Sequence, residues 1–376
     1  MQVNRTHSLR TSAKRRLGFF RGRSCKKTLT SIILALCYLN SQGCIPYLFH
    51  LGKEQAKILY DRRSFEEVRL DPNVSSKTKT KLKEVEKIRD FGIEKIALSP
   101  KGGFQSFVQL NREAIGWHVS ACHPLRFESY TWWFPIVGSV PYKGYFSLEM
   151  TKEEEARLKE EGWDTRIRVT AGYSTLGWFE DPLFSSQLYE NESELISLIL
   201  HEMAHATVYF KGDTIFNESY ASFVEEVGTE SYLFSTGGKT SVELWKKEER
   251  DRNRYMFLLK STAKKLESIY SKGGAEAEIL EQKKSVILQF KKELMEEAKS
   301  WSGVNLKKLS EKDWNNEDFL GMLRYHSGSG YFHKRFEELG KDFGKFHEEM
   351  RKLSELSNEQ RKELLDSASK AESSSL

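Results

Sequence analysis

The sequence predicts an α+β fold that is predominantly helical: a small sheet, a helix carrying paired histidines, and long C-terminal helices. Three observations predict it. Apolar residues at helical spacing dominate residues 45–98 and nearly everything from Ser193 onward. Alternating, β-branched and aromatic stretches are confined to the part between them. Two long charged runs, Ser241 to Tyr270 and Ala275 to Trp301, flank Ser271-Lys272-Gly273-Gly274 and read as a helical hairpin.

The elements follow in order. Glu54 to Leu59 and Lys81 to Ile96 have helical spacing, with Asp71-Pro72-Asn73 as the break between them. Phe104 to Leu110, Ala114 to Ala121 and Ser139 to Phe146 read as strands. Thr151 to Glu161 reads as a helix, with Thr151 as cap, Glu154 three residues on as in a capping box, and Gly162 ending it. Arg166 to Ala171 alternates as a strand, and Gly172 to Asp181 reads as a loop. Ser193 to Phe210 is a buried helix with Leu195, Ile196, Ile199, Leu200, Met203 and Ala204 as its apolar positions. Asn191 or Ser193 can cap it, and Glu192 and Glu194 suit its positive end. Lys211-Gly212-Asp213 breaks the chain before another helix near Thr214. In the hairpin, Leu258, Leu259, Leu266 and Ile269 make one buried stripe and Ile279, Val286, Ile287 and Phe290 the other. Residues 318 to 354 add one or two helices. The expected organisation is 1–43 as a signal segment, 44–232 as the catalytic region with N-terminal helices, 233–353 as a helical C-terminal region, and 354–376 as a disordered tail.

The chemistry is carried by His201-Glu202-Met203-Ala204-His205 and by Asn217-Glu218. Histidines four apart lie one turn apart on one helix face, so two imidazole nitrogens can reach one ion. This is the HExxH zinc signature, with Glu202 as general base. A third protein ligand leaves one position open for water. Glu218, thirteen residues past His205, is the candidate, which makes the ligand set His201, His205 and Glu218 for one Zn²⁺. Adjacent helices offering His, His and Glu are the arrangement of the gluzincin metallopeptidases. The competing reading, two hydrogen-bonded core histidines, leaves Glu202 on an apolar helix unexplained. The developing oxyanion needs a donor, and Tyr173 is the first candidate and Tyr145 the second. Asn217 and Asp213 are candidates to orient the ligands, Asp213 equally as a helix cap. A free amino terminus on a substrate needs a carboxylate, for which Glu180 and Asp181 stand ready. Trp132, Trp133, Phe134, Trp178 and Phe179 either line a subsite or fill the core.

Three further segments extend the pattern: Trp132 to Phe146 (WWFPIVGSVPYKGYF), Ala171 to Leu183 (AGYSTLGWFEDPL) and His201 to Ala221 (HEMAHATVYFKGDTIFNESYA). Gly43-Cys44, Tyr47, Gln55 and Asn315-Asn316 add to them. On these residues the chain resembles a bacterial family of predicted zinc aminopeptidases, over about residues 43 to 350 and most strongly between Trp132 and Gly228. The resemblance implies a zincin-like core and zinc-dependent hydrolysis of peptides. A zinc endopeptidase or other amide hydrolase with the same site, and a non-catalytic zinc-binding lipoprotein, are the alternatives.

The N-terminal region holds nine Lys and Arg and no acidic residue before Gly43, then an apolar run from Leu29 to Leu39. This describes a secretory signal, and the run is short for a membrane span. Cys44 after Gly43 reads as a lipidation site, although Ser41 stands where such sites usually carry Leu or Val. The expectation is a lipid-anchored protein of the cell envelope, facing the periplasm or exterior, with an uncleaved N-terminal anchor or plain secretion as the alternatives. The whole chain has 59 basic and 54 acidic residues, net +5; without residues 1–43 it has 50 basic and is net −4. The basic balance therefore belongs to the signal and gives no reason to expect nucleic-acid binding. Of four cysteines only Cys122 would remain a free thiol, so no disulfide framework is expected. Cys122 reads as a small buried hydrophobe in preference to a nucleophile paired with His123.

Overall fold

The computed structural model describes residues 44–101, 103–134, 138–170, 182–189, 191–323 and 329–373. The chain forms two compact units, Met1–Gln55 and Ala56–Leu376. Of the first, the described part begins helix α1 (Cys44–Tyr60). Among the described residues no helix is long and apolar enough to cross a membrane. The second unit holds every element after α1.

Short elements come first. Strand β1 (Arg63–Ser64) runs into helix α2 (Phe65–Leu70) through a capping box of Ser64 and Glu67. Helix α3 (Ser76–Lys95), capped by Ser75, buries Leu82, Val85 and Ile88 at helical spacing. The strands are β2 (Ser106–Val108), β3 (Trp117–Cys122), β4 (Trp132–Phe134), β5 (Gly138–Val140) and β6 (Tyr142–Tyr145). Helix α4 (Leu148–Glu160), β7 (Asp164–Val169) and β8 (Leu183–Phe184) follow. They make three small sheets. In the first, β2 pairs antiparallel with β1 and parallel with β8, Phe107 opposite Leu183. In the second, β3 is central, with β6 and β7 antiparallel on either side. The third is the β4–β5 pair.

The rest is helical: α5 (Glu192–Thr207), α6 (Thr214–Lys272), α7 (Glu276–Ala298), α8 (Leu306–Glu311), α9 (Asn316–Leu323), α10 (Ser329–Glu338), α11 (Phe343–Ser354) and α12 (Asn358–Ser373). The backbone of α6 breaks at Gly238, at φ 68° and ψ −159°, a region only glycine enters easily. The chain doubles back there, so that Lys246 pairs with Glu230 at 2.5 Å.

The main core packs α3, α5 and α6 against Phe107 and Leu183 of the first sheet and against Phe332 of α10 and Phe346 of α11. Helices α5 and α6 approach closely at Gly228, where a Cβ would stand 2.8 Å from Leu200 Cδ1. A second core joins Leu258, Leu259 and Leu266 of α6 to Phe290 and Leu294 of α7, with Trp314 and Phe319. Between it and the central sheet lies a buried polar joint. Arg166 pairs with Asp318, Arg168 with Glu317 and Lys283 with Asp164. Asn316 donates to the carbonyls of His123 and Pro124, and Asn315 to that of Thr165.

Several expectations are amended. The cap of α4 is Ser147, whose hydroxyl accepts from Met150 N, while Thr151 is buried and donates back to the Ser147 carbonyl at 2.7 Å. Both are hydroxyl residues and either could cap, so local sequence did not separate them. Strands β1, β4 and β8 went unread, being only two or three residues long, and the stretch Ser139 to Phe146 is divided between β5 and β6. Packing runs across position 232: Tyr232, Leu233, Val242 and Trp245 share the main core with α5, because the reversal at Gly238 folds the second arm of α6 back onto it. The segment 354–376, expected to be disordered, contains α12 instead. Its anchor is Arg361, 1% exposed, whose guanidinium lies over the rings of Phe210 and Phe216. Composition shows a polar tail; Asp213, which accepts from Arg361 and helps to order it, is 148 residues away.

Candidate metal centre

Helix α5 is capped by Asn191, which accepts from Ser193 N, and Glu192 and Glu194 occupy its first turn. Its apolar positions, Leu195, Ile196, Ile199, Leu200, Met203 and Ala204, are all buried. His201, Glu202 and His205 are half-buried on the remaining stripe. The chain then turns through Tyr209 to Asp213 and enters α6, which presents Glu218 one turn in.

Asn217 fixes that turn. Its amide accepts from Phe210 N at 2.8 Å and donates to the carbonyls of Phe210 at 2.6 Å and Asp213 at 2.9 Å. These bonds set the register between α5 and α6 and thereby the position of Glu218. Asp213 caps α6 by accepting from Phe216 N at 3.0 Å, and its other oxygen accepts from Arg361 Nε at 2.9 Å. Asn358 donates to the Gly212 carbonyl. Helix α12 thus clamps the connection between His205 and Glu218.

The three donors converge. His201 Nε2 and His205 Nε2 stand 3.1 Å apart. Glu218 oxygens stand 3.5 Å from His201 Nε2 and 3.7 Å from His205 Nε2. Tetrahedral ligands at about 2.0–2.1 Å from a zinc ion stand about 3.3 Å from one another. The three separations bracket that edge length, so the residues fit the ion. Among the described residues this is the one group of three or more His, Cys, Asp or Glu placed to hold a metal.

The three side chains are also tied together electrostatically. Burial lowers the basicity of His201, but hydrogen bonds to Glu218 and Glu225 and the charge of Glu202 outweigh it and raise its pKa. Burial, and then the charge on His201, lowers that of His205 to about 4. Burial works to raise the Glu218 carboxyl, yet the two histidines hold it below its usual range. Two imidazoliums cannot coexist at this separation beside one carboxylate.

Two residues of the neighbourhood were not singled out from the sequence. Glu225 Oε2 lies 3.0 Å from His201 Nδ1. Its signal was available: it follows Glu218 by seven residues, two turns along the same face. Tyr189 precedes α5, and burial, then the charges of Glu194 and Glu202, raise its phenol above the ordinary value.

Of the other sequence candidates, Tyr145 is buried in β6 with the Lys143 ammonium over its ring. Tyr173, Glu180, Asp181, Trp178 and Phe179 lie outside the described residues, as does the side chain of Cys44. Trp132 is buried and donates to Glu154, whereas Trp133 is 64% exposed. Cys122 is fully buried, and burial, then Glu317, pushes its thiol up to about 12, which removes the thiolate a nucleophile would need.

A family model described as "Putative aminopeptidase" matches residues 46–365. No curated protein and no solved structure matches the chain.

Proposed function

The chain belongs to that aminopeptidase family, and from this premise we propose that it is a zinc-dependent aminopeptidase that removes N-terminal residues from peptides. The observation that carries the reading is the convergence of His201 Nε2, His205 Nε2 and the Glu218 carboxylate at 3.1, 3.5 and 3.7 Å. Two imidazoles and one carboxylate are the donor set of catalytic zinc sites that keep one position open. Zinc held there would supply a Lewis acid that polarises the scissile carbonyl and lowers the pKa of water.

The chain's own groups do the rest. Glu202 takes the proton of the attacking water and returns it to the leaving amine. Its position next to His201 on α5, and the effect of its charge on that ring, support this role. Tyr173 is the proposed donor to the oxyanion, and Glu180 or Asp181 the proposed partner of the substrate ammonium. In this reading Cys44 carries the lipid that anchors the enzyme at the cell envelope.

The test is hydrolysis of aminoacyl-coumarins with free and with N-acetylated amino groups, by the zinc-loaded protein and by Glu202→Gln. Turnover of the free amines alone, lost in Glu202→Gln, is the expected result. Turnover of the acetylated substrates would replace the aminopeptidase by an endopeptidase or other amide hydrolase. Silence on both from zinc-loaded protein would refute the peptidase reading.

A further inference from the structure

We infer that Glu225 is a positioning residue of the metal site: its carboxylate accepts the Nδ1 hydrogen of His201 and thereby aims Nε2 of the same ring at the metal position. The inference rests on the metal-site reading above and extends it to a residue that the HExxH and Asn-Glu motifs do not include.

The geometry carries it in three steps. First, an ionised carboxylate only accepts hydrogen bonds. Glu225 Oε2 lies 3.0 Å from His201 Nδ1, so Nδ1 is the protonated nitrogen in that bond. The lone pair of the neutral ring is then on Nε2, the nitrogen 3.1 Å from His205 Nε2 and 3.5 Å from Glu218. Second, one helix brackets the ring. Glu218 and Glu225 are seven residues apart on α6, about 10 Å along the axis and nearly in line. The first meets His201 at Nε2 and the second at Nδ1. The same helix therefore supplies the third ligand and the group that orients the first ligand. Third, the bond is sheltered. The His201 side chain is 19% exposed and that of Glu225 24%, which favours a persistent charge-assisted bond over a solvated surface contact. A carboxylate behind a histidine ligand raises its basicity and fixes its tautomer, and its loss typically costs about 10–100-fold in metal affinity.

The experiment compares the full chain with Glu225→Ala and Glu225→Gln. Zinc affinity is read by competition with a chelating dye, and site geometry by the visible absorption spectrum of Co²⁺ in place of zinc. Thermal unfolding of the metal-free proteins controls for folding. The expected result is a Glu225→Ala protein whose zinc affinity falls by about 10–100-fold, with an altered Co²⁺ spectrum. Glu225→Gln, which keeps an acceptor oxygen but no charge, falls between it and the parent. Should Glu225→Ala unfold, the Gln variant carries the test alone. Parental affinity and an unchanged Co²⁺ spectrum in both variants would overturn the role of Glu225 and leave the three ligands standing. Failure of the parent itself to bind zinc stoichiometrically would overturn the metal site, and the inference with it.

Discussion

Helix α6 meets histidines on two faces, and the two settings differ in a way that separates function from packing. On one face Tyr220 donates its hydroxyl hydrogen to His347 Nδ1 at 2.9 Å, and His347 Nε2 donates to the Ile96 carbonyl at 2.8 Å. Both nitrogens are used, both partners are neutral, and the ring is fully buried among Phe343, Phe346 and Tyr220. On the other face, two residues before Tyr220, Glu218 meets His201 and His205, whose Nε2 atoms face each other. There the partners are carboxylates and the nitrogens converge on one point. The buried histidine of the core is satisfied by neutral neighbours, whereas His201 and His205 turn their Nε2 atoms towards each other and towards one carboxylate, the arrangement on which the proposed metal site rests.

Experiments on the two faces sharpen that contrast. The largest effect is expected on the face that carries the proposed metal site. Glu202→Gln should lower turnover of free aminoacyl substrates by about 10²–10⁴-fold, the usual worth of a general base, while bound zinc stays at the parental level. Zinc analysis beside the rate measurement checks both. If rate and zinc fall together, Glu202 holds the site together and does not move protons.

Next comes the clamp between the faces. Arg361→Ala removes one member of a buried ion pair with Asp213, side chains 1% and 14% exposed, and should cost about 3–5 kcal/mol of stability. Because Asp213 caps α6 just ahead of Glu218, zinc affinity should fall with it. Denaturant unfolding and zinc titration measure the two. A stable, zinc-tight Arg361→Ala protein would mean that α12 is passive.

The smallest effect belongs to the packing face. Burial, opposed by the hydrogen bond to Ile96 and reinforced by the charge of Arg351, lowers His347 to about 4. Its value in the unfolded chain is about 6.5. Between the two, the unfolded chain binds a proton that the folded one refuses, so stability rises with pH across that window and is flat above it. The loss on acidification towards pH 4 is up to about 3 kcal/mol. Unfolding of the parent and of His347→Gln in chelator, from pH 4 to 8, should show a steeper slope in the parent, the remainder belonging to other buried histidines such as His205.

How legible was this in the sequence? The meeting of His201 and His205 was, because HExxH is local: five residues on one helix need only helical geometry to bring two histidines together. The following helix and Glu218 were also readable, since the Lys211-Gly212-Asp213 break is short and Asn217 acts within seven residues of Phe210. Glu225 was readable in principle from its spacing to Glu218. What sequence could not show depends on distance along the chain. The Arg361–Asp213 pair spans 148 residues and Tyr220–His347 spans 127. No periodicity announces either. The Asn315-Asn316 pair, noticed as part of a resemblance, turns out to be a joint binding α9 to the central sheet. The reversal at Gly238 had a signal, the Gly237-Gly238 doublet, but a charged helical run on both sides concealed that the chain turns back there.

The most direct test of the account is zinc stoichiometry by equilibrium dialysis on three proteins: the parent, His205→Ala and His347→Gln. One zinc per chain is expected in the parent and in His347→Gln, and none in His205→Ala. Zinc retained by His205→Ala, or absent from the parent, would contradict it.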